Sequence, residues 1–117
     1  MKKIFKIITT SLIMGLLTVG TLVPIASAES VAPTNLTDYI VSDIQINLNW
    51  YSVPGAISYS VYQSTNNGAY RRIAFNVIHN YERQIPVTPG TNYSYYVTAV
   101  DSSGEGPASN VVSLTTP

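Results

Sequence analysis

The 117 residues contain no cysteine, and only one histidine and one tryptophan. The missing cysteine excludes a disulfide staple, a thiol nucleophile, a Cys-based zinc site and lipid attachment at a mature N-terminal Cys. Charge is equally scarce, with six Lys+Arg against six Asp+Glu. All three lysines, Lys2, Lys3 and Lys6, stand at the very start. Beyond residue 28 only Arg71, Arg72 and Arg83 face Glu29, Asp38, Asp43, Glu82, Asp101 and Glu105, so that part carries 3 − 6 = −3. A nucleic-acid partner requires a basic face, and this composition has none. An anionic membrane surface is disfavoured on the same ground. Helical periodicity is also missing after the first stretch, and no cofactor-binding motif appears.

What the chain does have begins with that first stretch. Three lysines precede an apolar run from Ile7 through Val23, Pro24 breaks it, and Ala26-Ser27-Ala28 places small residues where a signal peptidase reads. The run contains Thr9, Thr10, Ser11 and Thr18 and is short against the ~20 apolar residues that span a bilayer. The layout predicts a signal peptide over 1–28, cleaved after Ala28, and a single domain over 29–117 of 117 − 28 = 89 residues. The expected location is secreted and extracellular, with no membrane association after cleavage. A domain of this size without disulfides rests on its hydrophobic core alone.

From Val31 onward the pattern alternates with period two. Ile44, Ile46, Leu48 and Trp50 alternate with Gln45, Asn47, Asn49 and Tyr51, which is the mark of a half-buried strand. Tyr59 and Val61 share one face of a second strand, with Ser60 and Tyr62 on the other. Asn66-Asn67-Gly68 supplies residues that tolerate positive φ and predicts a hairpin returning through Tyr70 to Ala74. A short strand is expected near Asn80 to Gln84, its register open. Tyr93, Tyr95, Val97 and Ala99 then face inward, with Ser94, Tyr96 and Thr98 outward. Asp101 to Pro107 reads as a long turn, and Ala108 to Leu114 as the last strand. About seven short strands without helices predict an all-β, seven-stranded antiparallel, immunoglobulin-like sandwich.

Several spaced motifs resemble a fibronectin type III domain across the whole stretch after the leader. Ala32-Pro33-Thr34-Asn35-Leu36 resembles the family's first strand, and Trp50 its core tryptophan. Tyr59-Ser60-Val61 resembles its Tyr-x-Val. Val87-Thr88-Pro89-Gly90-Thr91-Asn92-Tyr93 resembles the Leu-x-Pro-Gly-Thr-x-Tyr corner, and Gly104-Glu105-Gly106 through Ser109 the entry to the last strand. The resemblance implies a core of Trp50, Tyr59, Val61, Tyr93, Tyr95 and Val97, with the Tyr93 hydroxyl bonded to backbone just upstream. The corner departs from the family where Val87 replaces Leu and Pro86 replaces Gly. The integrin-binding Arg-Gly-Asp of some animal relatives is absent from the Asp101–Gly106 loop.

No catalytic constellation emerges. His79 is a lone loop histidine, expected to be solvated, and a small hydrolase is disfavoured accordingly. Asp38 with Asp43, and Asp101 with Glu105, read as polar turn residues rather than an acid–base pair or a calcium site. No metal and no cofactor is expected. Arg71-Arg72 is expected to guard a strand edge. Tyrosine is in excess, with nine copies, all after the leader. Tyr62 and Tyr96 are expected to be neighbours on an outer face, either packing across strands or serving as ligand-binding anchors. The expected role is a monomeric, non-catalytic module that spaces or presents other domains of a longer chain. The alternative is a stand-alone binder of an extracellular glycan or protein.

Overall fold

A computed structural model describes residues 31–117, and the signal peptide expected over 1–28, with its cleavage point, lies outside the described residues. These residues form eight strands: β1 Thr37–Ser42, β2 Gln45–Asn49, β3 Ser58–Thr65, β4 Arg71–Val77, β5 Tyr81–Gln84, β6 Asn92–Asp101, β7 Gly104–Ala108 and β8 Val112–Thr115. They assemble into two antiparallel sheets. The smaller has the order β1-β2-β5, and the larger runs β4-β3-β6-β7 with β8 also paired to β6.

The core is the layer between the sheets. Ile46, Leu48 and Val61 are fully buried, as are Tyr95 and Val97, and Trp50 is 1% exposed. Trp50 meets Tyr59 edge to face, with ring centroids 5.4 Å apart, and the Tyr59 hydroxyl accepts from the Val53 N–H at 2.9 Å. The Trp50 indole N–H is buried with no hydrogen-bond partner among the described residues, so this ring contributes through packing. Tyr93 closes the corner between the sheets, its hydroxyl accepting from the Thr88 N–H at 2.8 Å. Asn66 and Asn67 both take positive φ in the β3–β4 hairpin.

Several elements differ from the sequence reading. The last strand comes in two pieces, because the Asn110 side chain turns away to bond both the N–H and the C=O of Leu36. The long turn expected from Asp101 to Pro107 is a two-residue hairpin, with Asp101 opposite Gly104 and Gly104 at φ 114°. Ala32–Leu36 precedes the first strand instead of forming it, since Asn35 at φ 55° interrupts an extended run. Ile44 leaves the inward series, because it sits in the β1–β2 turn and is exposed. Asp38 is a strand residue of β1, not a turn residue, and lies opposite Leu48. β4 runs three residues past Ala74, carried by the pairing of Val77 with Tyr59.

Candidate functional site

The outer faces of the two sheets hold the residues with chemistry to offer. Tyr62 lies opposite Tyr96 across the β3–β6 ladder, and their rings stack at 4.6 Å and 13°. Tyr70 leans on Tyr96 from the edge side, with centroids 4.9 Å apart. Glu105 reaches over from β7 and accepts from the Tyr62 hydroxyl at 2.5 Å and from Thr98 Oγ1 at 2.6 Å. Those two bonds hold the Glu105 carboxyl below its usual range. The same carboxylate pushes the Tyr62 phenol up to about 12, first through the hydrogen bond, since it stabilises the protonated hydroxyl. Outward residues of this sheet are covered: Ser60, Ser64, Ser94 and Thr98 are all buried. The expected neighbours Tyr62 and Tyr96 do meet, and they meet each other face to face.

Three partners of that pair carried little sequence signal. In sequence, Tyr70 marks only the start of a return strand, Glu105 a turn and Arg72 a protected strand edge. Arg72 pairs with Tyr62 on the edge strand β4, and its guanidinium stands 5.0 Å from the Phe75 ring centre. Glu105 comes within reach only because β7 starts at Gly104, immediately after the tight hairpin.

The small sheet's outer face is built differently. Ile46 and Leu48 point into the core, so Gln45, Asn47 and Asn49 point out. Tyr39 and Arg83 flank Asn47 in one cross-strand row, and Thr37 and Tyr81 flank Asn49 in the next. Gln45 Nε2 donates to Asn47 Oδ1 at 2.9 Å, and Asn47 Nδ2 donates to the Tyr39 hydroxyl at 3.4 Å. His79 stacks on the Tyr81 ring at 4.8 Å and 15°.

Two acids sit in unlike places. Asp38 shares the inward face with Leu48, and its Oδ2 is buried without a hydrogen-bond partner among the described residues. Burial raises its carboxyl above the ordinary aspartate range, opposed by its own backbone N–H. Asp101 Oδ1 accepts from the Ser103 N–H at 2.8 Å in the β6–β7 turn. Among the described residues no three His, Cys, Asp or Glu side chains gather as metal ligands would. No helix among them is long and apolar enough to cross a membrane.

Comparison with known proteins places this architecture. No family model matches the chain. A fibronectin type III-like protein from Clostridium thermocellum shares the fold at a TM-score of 0.68 and is 34% identical, with 77% of this chain and 96% of that one covered. The chain belongs to the fibronectin type III family. Human collagen XX contributes a fibronectin type III domain with the same fold, at a TM-score of 0.63 and 21% identity over 81% of this chain. Among curated proteins, an amylopullulanase of Thermoanaerobacter thermohydrosulfuricus is 40% identical over 85 residues, 69% of this chain. The tail tube protein gp17.1* of Bacillus phage SPP1 is 35% identical over 86 residues. The fibronectin type III chain spans 6% of the first and 31% of the second, so what it resembles there is one part of a longer protein.

Proposed function

We propose that this fibronectin type III chain is an exported, non-catalytic module that holds other domains apart or presents them. The carrying observation is axial. Tyr51 N–H bonds Thr34 C=O beside the Trp50–Tyr59 contact, at the end of the sandwich where β6 finishes. Thr116 bonds Thr91 at the other end, where β6 begins. The two ends of the domain are therefore separated by the length of β6, whose ten residues extend roughly 33 Å. Such a module adds fixed length between whatever flanks it. The amylopullulanase match, confined to a small fraction of that enzyme, supports the same reading. Residues 1–28 would direct export and be removed after Ala28.

Placed between two fluorescent proteins, residues 29–117 should hold the fluorophores at one narrow distance until cooperative unfolding. A distribution as broad as that of a Gly/Ser linker of equal length would overturn the spacer role. Intact-mass analysis of the protein in the medium should find Glu29 as the first residue. Accumulation of the uncut chain in the cells would remove the export part of the proposal.

A further inference from the structure

We propose that the outer face of the small sheet, β1-β2-β5, is a binding site for an extended neutral polysaccharide. Tyr39 and Tyr81 are each 49% exposed and stand on the two outer strands. Between them the central strand presents only carboxamides, Gln45, Asn47 and Asn49. Two strand spacings and two residue rises place the Cα atoms of Tyr39 and Tyr81 roughly 12 Å apart on the diagonal. That is about the reach of a disaccharide, so consecutive parts of one glycan chain can lie on Tyr39 and on the surface of Tyr81 that the stacked His79 leaves open.

The polar groups fit a polyol. A carboxamide offers two N–H donors and a two-lone-pair acceptor, matching hydroxyls that both give and take hydrogen bonds. Asn47 spends one donor on Tyr39 and one lone pair on Gln45, which fixes its plane and leaves the rest of its capacity outward. The Asn49 side chain makes no hydrogen bond among the described residues. Arg83, next to Asn47 in the row, adds a planar donor fork at the rim.

Charge and polarity separate this ligand class from others. Asp38 and Glu82 both pair with Leu48 and so share its inward side, which leaves no carboxylate on the outer face for a cation or a basic peptide. One guanidinium is too little positive charge for a nucleic acid or a polyanionic glycan. A protein interface of this size would place apolar side chains at its centre, and the centre here is a column of amides. The site is independent of the spacer role and of the Tyr62–Tyr96 face.

The test is an NMR titration of the exported chain with cellohexaose, maltohexaose, xylohexaose and mannohexaose. At least one should shift the backbone amides of residues 37–39, 45–49 and 81–83, with those of Tyr62 and Tyr96 unmoved. Tyr39→Ala and Tyr81→Ala should each weaken that binding about tenfold while the folded spectrum is kept. Asn49→Ala is the second variant should either fail to fold, with several-fold weaker binding expected. Silence toward all four sugars at millimolar concentration would overturn the proposal. So would shifts mapping to the Tyr62–Tyr96 face, or unchanged affinity in the folded variants.

Discussion

Both sheets show tyrosine to the outside, yet the two faces use it in opposite ways. On the large sheet Tyr62 and Tyr70 each lie against Tyr96 and Glu105 ties down a hydroxyl, so much of this aromatic surface packs on the protein itself, with Tyr70 the most exposed at 39%. On the small sheet Tyr39 and Tyr81 are separated by a strand of amides, and half their surface faces water even though His79 stacks on Tyr81. The cause is register. Tyr62 and Tyr96 are direct cross-strand partners, and close pairing brings rings into contact. Tyr39 and Tyr81 sit on non-adjacent strands in different rows, with the amides of β2 between them. One residue type therefore stabilises one face and leaves the other open for recognition.

The largest expected effect sets the scale, at the corner joining the sheets. Tyr93→Phe removes the acceptor for the Thr88 N–H and should cost ~1–3 kcal/mol in chemical denaturation. An unchanged unfolding midpoint would mean that the corner bond contributes nothing. Next comes Tyr96→Ala, which deletes two ring contacts and should cost ~1–2 kcal/mol. A loss below ~0.5 kcal/mol would break the claim that the large-sheet face stabilises the domain.

Acid and alkali sharpen the comparison further. Glu105 has a lowered folded-state pKa, so its contribution is present above the ordinary glutamate range and is lost as pH falls through the folded value. Asp38 has a raised one, so its cost is absent at low pH and grows as pH rises through the folded value. Asp38→Asn should therefore raise stability at neutral pH and change nothing at pH 3, as followed by melting at both. Tyr62 carries a raised pKa too, so stability from its hydroxyl bond should fade between pH about 10 and about 12. Tyr62→Phe should flatten that alkaline loss. The smallest effect belongs to the small sheet: Tyr39→Ala and Tyr81→Ala should each stay within ~0.5 kcal/mol of the parent.

How legible this was in the sequence varies with distance along the chain. The two clean alternations, Ile46–Leu48 and Tyr93–Ala99, give their faces directly, because burial of one side imposes period two. The Asn66-Asn67 turn is equally readable, since few residues accept positive φ. Asp38 was not readable as an inward strand residue, because its place depends on pairing with Leu48. Nor was the split of the last strand, which depends on Asn110 reaching Leu36 across 74 positions. For the outer faces, the pairing of Tyr62 with Tyr96 follows from strand order, but Tyr70 and Glu105 enter through a hairpin length that sequence left open. The amides Gln45, Asn47 and Asn49 were visible as the polar half of an alternation. Nothing in one dimension placed Tyr39 and Tyr81 on either side of them.

Thermal unfolding of two double variants compares the faces most directly. Tyr62→Ala with Tyr96→Ala should lower Tm by roughly 8–16 °C, corresponding to about 2 kcal/mol in a domain of this size. Tyr39→Ala with Tyr81→Ala, at no more than ~1 kcal/mol together, should lower it by at most about 4–8 °C. Equal losses, or a larger loss from the small-sheet pair, would contradict the division of labour between the two surfaces.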